Sequence, residues 1–198
     1  MNIVQRVKDI ILKPSDTWAE IKAEQVTIKE LYTSYAMFLA AIPPIASFIG
    51  LSLLGFSMLA FSYRIPLGWG ISHAVVSYIL SLVGLYVVAL IIDALAPSFG
   101  SQKNQINAMK VAVFSWTPSW IAGILMIIPV LSPIAMLLSL YSLYLFYLGL
   151  PILMETPKDK AVGYCLVTIV VGIVVFIIIG VISSALFGFG GMGLRMMY

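Results

Sequence analysis

Residues 144–164 read YLFYLGLPILMETPKDKAVGY and show how the whole chain is organised. An aromatic, apolar segment runs into a corner, residues 155–160, that carries four charges, and apolar residues then resume. Charges concentrated between two apolar segments are typical of a loop joining two membrane spans, because the loop reaches water and the spans do not. The stretch therefore predicts a membrane hairpin.

The composition of the chain extends this prediction to its full length. Of its 198 residues, 62% are hydrophobic and 10% charged, and the mean hydropathy is +1.08. A soluble domain carries about 25% charged residues, and a core of this size could not hide so much apolar surface. Only helices and closed barrels span a bilayer, and these apolar runs are too long for barrel strands. We therefore expect an all-α, polytopic membrane helical bundle.

Five segments are long enough to cross the hydrocarbon, which takes about 20 apolar residues in a helix. The predicted spans are 34–60, 70–92, 108–129, 132–153 and 161–186. Spans three and four are separated only by residues 129–133, whose two prolines predict a tight hairpin. Residues 1–33 are predicted to form amphipathic interfacial helices, and residues 187–198 a flexible tail.

The first helix is predicted from apolar residues at helical spacing, namely Ile3, Val7, Ile10 and Ile11. Pro14 ends this helix and a second one follows. Trp18 is expected to act as an interfacial anchor, with the two helices lying on the membrane surface. The alternative is that they pack on the loops of their own bundle, and the sequence does not separate the two.

The distribution of charge predicts the orientation. Nine of the eleven Lys and Arg residues fall on the side of the N-terminus, and only Arg64 and Arg195 fall on the other. Because cytoplasmic loops carry the excess of these residues, we expect a cytoplasmic N-terminus and a C-terminus on the opposite side.

The sequence contains no recognisable catalytic or metal-binding motif. Ser72 and His73 are adjacent, so a helix would direct their side chains about 100° apart, which excludes a nucleophile–base pair. One histidine and one cysteine are too few for a metal site. We therefore expect no enzyme activity and no cofactor. The lysines and arginines form no basic patch with interleaved aromatics, so nucleic acid is not an expected partner.

A few polar or helix-kinking positions lie at membrane depth. They are Pro43, Pro44, His73, Asp93 and Pro118. Kinked helices can expose carbonyl groups along a solute path, together with Ser47, Ser115 and Thr117, although prolines in spans also serve packing. His73 is expected to be neutral and hydrogen-bonded. Asp93, at the end of span two, is expected to reach water.

The N-terminal side also carries the candidate surface for lipids or partner proteins. Its residues are Trp18, Glu20, Glu24, Lys103, Lys110, Glu155, Pro157, Lys158 and Lys160. Lys110 is expected to extend to the membrane surface. Glu20 and Glu24 are expected to pair with Lys158 and Lys160, which would dock the N-terminal helices on the corner. The alternative is that these lysines only fix the topology.

Several motifs resemble those of one membrane protein family. The corner stretch carries Tyr-x-x-Tyr-Leu-Gly-Leu-Pro from Tyr144 and Pro-x-x-Lys-Ala from Pro157, and Pro-x-x-x-Trp-x-x-Ile-x-x-Glu begins at Pro14. Together with Ala40-Ala-Ile-Pro and Phe114-Ser-Trp-Thr-Pro, these motifs resemble the Yip1 superfamily, and most closely its bacterial Yip1-domain proteins of the inner membrane.

The resemblance implies five spans with a cytoplasmic N-terminus, in the bacterial inner membrane. It points to a non-enzymatic protein that organises the membrane or binds partners: membrane lipids, other membrane proteins or further copies of the chain. The alternative is a small channel or transporter built on the proline-kinked helices.

Overall fold

The computed structural model describes residues 2–58 and 61–188 of the chain. The α-helices are α1 (Ile3–Leu12), α2 (Pro14–Ala23), α3 (Ile28–Leu31), α4 (Met37–Ala40), α5 (Ile42–Phe48), α6 (Leu67–Leu95), α7 (Gln105–Ser115), α8 (Thr117–Ala122), α9 (Ser132–Ser139), α10 (Tyr141–Leu153) and α11 (Lys158–Gly188). π-Helical turns occupy Tyr32–Ala36 and Ile49–Leu54, and 3-10 turns occupy Ala96–Phe99, Gly123–Ile127 and Pro129–Leu131. Two short strands are β1 (Phe56–Met58) and β2 (Phe61–Tyr63).

These pieces join into five helical stretches that are long and apolar enough to cross a membrane. Spans 1 to 5 are Ile28–Leu54, Leu67–Phe99, Gln105–Ile127, Pro129–Leu153 and Lys158–Ile178. The predicted fold class, an all-α polytopic membrane bundle, is confirmed. The predicted tail beyond Gly188 falls outside the described residues.

Span 1 begins and ends earlier than the predicted bounds of 34–60. Thr27 and Glu30 form a capping box, in which each side chain accepts from the backbone N–H of the other, and this starts the helix at Ile28. Gly55 ends it with a positive φ of 79°, a conformation that favours glycine. The antiparallel β1–β2 hairpin, in which Phe56 pairs with Tyr63, follows in place of the predicted end of the helix.

The first half of span 3 is the central helix of the bundle. Every residue of α7 from Ala108 to Ser115 is buried, although span 3 has the lowest mean hydropathy of the five. Helices α6, α10 and α3 pack against α7. Because α7 is surrounded by protein instead of lipid, it can carry polar residues that a lipid-facing helix could not.

Prolines divide spans 1 and 3 into two halves each. Pro43 and Pro44 lie at the start of α5, after a break at Ala41, and Pro118 lies at the start of α8, after a break at Trp116. Proline is well tolerated in a first helical turn, where its missing N–H is not needed. The two outer halves contact each other closely: a Cβ placed on Gly123 would lie 2.6 Å from Cγ of Pro43.

This close approach gives a first prediction. We expect Gly123→Ala to destabilise the bundle by about 1–3 kcal/mol, because the added methyl group has no space beside Pro43. Thermal unfolding in mild detergent measures the effect. Gly68→Ala is the matched control, since nothing lies within 4 Å of a Cβ there. Equal melting temperatures for the two variants would show that the outer halves are not tightly packed.

Candidate functional site

The N-terminal hairpin, residues 2–24, is held together by Arg6. This side chain pairs with Glu24 and lies 3.5 Å from Glu20, and its guanidinium stands 5.9 Å from the ring centre of Phe114 in span 3. Glu20 and Glu24 therefore pair within the hairpin. The prediction that they pair with Lys158 and Lys160 is wrong, because Arg6 lies one helix away and reaches them first.

Trp18 attaches the hairpin to the bundle by burying its side chain between spans 3 and 4. The side chain is fully buried, its ring stands edge-on to Phe114 at 6.4 Å, and a Cβ on Gly149 would lie 2.7 Å from its Cζ2. Gly149 thus leaves the notch in span 4 that receives the indole. The prediction that Trp18 acts as an interfacial anchor is therefore wrong. The N-terminal helices were expected either to lie on the membrane surface or to pack on their own bundle, and α2 packs on the bundle.

Lys110 makes the second attachment. Its side chain is only 2% exposed, and Nζ donates hydrogen bonds of 2.8 and 2.7 Å to the carbonyl oxygens of Ile21 and Glu24. These carbonyls belong to the end of α2, where a helix lacks internal donors and favours positive charge. The expectation that Lys110 extends to the membrane surface is therefore wrong, since the ammonium group caps α2 instead.

The corner contacts the N-terminal hairpin through an acidic residue, and not through its lysines as predicted. Glu155 accepts a 2.8 Å hydrogen bond from Lys22 of α2. Next to it, the buried Thr156 accepts a 2.8 Å hydrogen bond from Ser101 in the loop between spans 2 and 3. Pro157, Lys158, Lys160 and Lys103 are exposed. They remain candidates for contact with lipids or partners.

Two of the predicted intramembrane positions, Asp93 and Thr117, are buried within the bundle. Asp93 is only 9% exposed, so the expectation that it reaches water is wrong, and within the described residues its Oδ1 has no hydrogen-bond partner. Thr117, fully buried, forms a 2.9 Å hydrogen bond with the hydroxyl of Tyr35. That bond joins spans 1 and 3.

Four of the other intramembrane positions meet in a cavity of about 320 Å³, here named the proline cleft. Pro43, Pro44 and Ser47 of span 1 line it together with His73 of span 2. Ser77 and Ser81 continue the same face of α6 at four-residue spacing, and Trp69 stacks on His73 at 5.1 Å. The structure thus brings together four of the positions that the sequence singled out for a solute path.

A second cavity of about 240 Å³, the hydroxyl cleft, lies between spans 2, 3, 4 and 5. Its polar residues are Ser115, Ser119, Ser139, Ser142 and Thr168. Trp116, Ser119 and Phe176 line both clefts and so separate them. Of these polar residues, only Ser115 was expected from the sequence to line a polar path. The other hydroxyls could have been found only by noting polar residues scattered in otherwise apolar spans.

A third, larger cavity of about 850 Å³ opens below the end of α1 and is named the tip groove. Ile11 forms one wall, and the remaining walls come from spans 3 and 4, including Pro118, Leu137 and Tyr144. The hydroxyl of Tyr141 donates a 2.9 Å hydrogen bond to the carbonyl oxygen of Ile11, which fixes the end of α1 over the groove. The lining is almost entirely apolar, as suits an acyl chain.

In chemical terms, these cavities can bind apolar chains and neutral hydrogen-bonding groups. Among the residues that the structure describes, no group of three His, Cys, Asp or Glu side chains could hold a metal ion.

Five spans arranged around a buried central helix, with a helical hairpin attached to one end, define a polytopic α-helical integral membrane protein. More specifically, the chain belongs to the Yip1 family: residues 8–179 match the Yip1 domain. Its relatives include the inner membrane protein YohC of Escherichia coli K12 and that of Escherichia coli O6:H1. Each is 27% identical over 175 residues, which cover 86% of this chain and 89% of the relative. No solved structure matches the chain.

The family assignment confirms the resemblance seen in the sequence. The motif residues also have packing roles: Trp18 fills the notch at Gly149, and Pro118 begins the second half of span 3. The motifs that contain Trp18, Phe114 and Gly149 therefore attach the N-terminal hairpin to spans 3 and 4.

These attachments give a second prediction. We expect Trp18→Ala to detach the N-terminal hairpin, because truncating a fully buried tryptophan costs about 3–5 kcal/mol. Trypsin should then cleave the variant at Lys8 and Lys22 much faster than the wild type, as followed by mass spectrometry.

The control is the double variant Lys158→Glu, Lys160→Glu. Both lysines are exposed and neither pairs with the hairpin carboxylates, so its cleavage rate should equal that of the wild type. Rapid cleavage of the control together with slow cleavage of Trp18→Ala would contradict the attachment described here.

Proposed function

We propose that this protein is a non-enzymatic integral protein of the bacterial inner membrane that organises the membrane by binding anionic phospholipid. The name of its E. coli relatives supports the location. The charge distribution supports an N-terminal side that faces the cytoplasm, where basic residues meet anionic headgroups. The exposed lysines of that side then lie next to lipid.

The tip groove is the observation that carries this proposal. Immediately above it, α1 ends in Leu12, which is 74% exposed, and Lys13, which is also exposed. An acyl chain fits the apolar groove, while a phosphate at its mouth meets Lys13. One lysine near an anionic surface contributes about 1 kcal/mol.

The aromatic residues of span 4 support the depth that this requires. Tyr144 and Tyr147 are exposed on span 4. Tyr141, which binds the end of α1, lies near the middle of this span. The end of α1 therefore reaches the depth of the acyl chains, where an exposed leucine is favourable and the long side chain of Lys13 extends toward the headgroups.

Lipid titration tests the proposal. Native mass spectrometry of the protein in mild detergent should show preferential binding of phosphatidylglycerol over phosphatidylethanolamine with the same chains. Leu137→Trp should reduce this binding several-fold by filling the groove, and Lys13→Glu should remove the preference for the anionic lipid.

Met136→Trp is the matched control, because Met136 is about as exposed as its neighbour, at 70% against 67%, and does not line the groove. Equal affinity for the two lipids, or equal binding by the two tryptophan variants, would disprove lipid binding at the tip groove.

The proline cleft favours a second candidate function, the passage of a small neutral solute. His73, Ser77 and Ser81 form a polar stripe along α6 opposite the kink at Pro43 and Pro44. Towards the N-terminal side the bundle is filled by Tyr35, Phe114 and Leu145, which are fully buried. Passage would require these side chains to move.

Proteoliposome swelling in glycerol distinguishes this candidate from the first. A passage predicts glycerol entry faster than in protein-free vesicles, and slower entry for Ser77→Leu than for Ser72→Leu. Ser72 is an exposed serine of the same helix that does not line the cleft. Swelling at the protein-free rate would exclude passage.

A further inference from the structure

The hydroxyl cleft contains polar atoms that the described protein does not satisfy. Ser115 and Thr168 are each only 2% exposed, and within the described residues neither side-chain oxygen has a hydrogen-bond partner. Both residues line the cleft, on spans 3 and 5. Buried hydroxyls without partners are uncommon and costly, so their presence in a cavity wall indicates a bound polar group.

The other hydroxyls of the cleft are already engaged. Ser119 and Ser142 share a hydrogen bond of 2.8 Å, and Ser139 donates one of 2.6 Å to the carbonyl oxygen of Met136. The cleft thus offers two unsatisfied hydroxyls, one on span 3 and one on span 5, and a satisfied pair. An occupant that both donates and accepts hydrogen bonds fits this arrangement.

The lining also indicates the charge of the occupant. The described residues that line the cleft include no ionisable side chain, and its remaining walls are apolar, among them Leu143, Phe146 and Ile169. An ion at this depth would have no counter-charge, which is very unfavourable in a bilayer. The polar group is therefore neutral, and it is attached to an apolar body.

The packing of spans 4 and 5 shows where such a molecule enters. Helix α11 packs against α6 and α10, whereas α9, the outer half of span 4, packs on α8. Nothing lies within 4 Å of a Cβ placed on Gly172, which lines the cleft on span 5. The cleft therefore opens sideways between the end of α9 and α11, among exposed apolar residues of its lining such as Leu140 and Ile173.

We propose that the hydroxyl cleft binds a neutral lipid with a small, hydroxyl-bearing head, of the diacylglycerol type, which enters from the bilayer between spans 4 and 5. Ser115 and Thr168 bind the glycerol hydroxyl and an ester carbonyl. The acyl chains leave past Gly172 into the membrane. The cavity of about 240 Å³ holds a head of this size.

The depth of the cleft agrees with this class of ligand. Ser115, Ser142 and Thr168 lie near the middle of spans 3, 4 and 5. Charged headgroups are kept at the membrane surface by their hydration, whereas a diacylglycerol carries no charge and reaches this depth at much lower cost. A water molecule could bind the two hydroxyls, but it would leave the apolar walls of the cleft without a contact.

Photo-crosslinking tests the site. The full chain is placed in nanodiscs with a diacylglycerol that carries a diazirine on one acyl chain, and labelled peptides are identified by mass spectrometry. We expect labels on α9 and α11, displaced by unlabelled diacylglycerol and not by phosphatidic acid with the same chains. Thr168→Val should weaken competition about threefold to tenfold, since it removes one hydrogen bond at nearly constant volume.

Glycine variants of span 5 provide the matched comparison. Gly172→Leu should abolish labelling by filling the entry, whereas Gly180→Leu should not. Both positions have free space around an added Cβ, but only Gly172 lines the cleft. Leu137→Trp, which blocks the tip groove, should leave labelling unchanged, so the two sites are tested separately. Equal labelling of both glycine variants, or displacement by phosphatidic acid, would overturn the proposal.

Discussion

The architecture depends on one contact, the insertion of Trp18 into the notch that Gly149 leaves in span 4. With the indole in place, Phe114 has an aromatic neighbour, Lys110 reaches the carbonyls that end α2, and α7 is enclosed on all sides. A hairpin that would otherwise lie on the membrane becomes part of the protein core. The rest of the N-terminal side is built around this contact.

The fold was largely predictable because lipid imposes it. Long uncharged runs interrupted by charged corners determine the number of spans, and Pro129 and Pro133 mark the hairpin between spans 3 and 4. The site was harder to predict, since an amphipathic segment gives the same pattern on a membrane and on a protein. What places α2 on the protein is Gly149, more than one hundred residues away, and a lone glycine in an apolar run does not reveal its partner.

The errors over charged residues have a common physical cause. Lys110 and Asp93 were assigned to water because the sequence places them near span ends, but both are buried. A helix end in the membrane normally meets headgroups. Here the N-terminal hairpin covers Lys110, and Tyr164 of span 5 donates a hydrogen bond to the carbonyl oxygen of Ile92, next to Asp93. Depth along the helix therefore does not measure exposure. Only the tertiary contacts show which ends are covered.

The proline breaks in spans 1 and 3 divide the molecule into two parts that differ in the contacts between their helices. On the N-terminal side, hydrogen bonds and aromatic contacts cross between helices in several directions, as in a soluble core. Beyond Ala41 and Trp116 the helices are joined by apolar contact, by the packing of Pro43 against Gly123, and by the hydrogen bonds of Ser119 to span 4. With fewer contacts of this kind, the outer halves of spans 1 and 3 are the part of the molecule that we expect to shift when bilayer thickness or curvature changes.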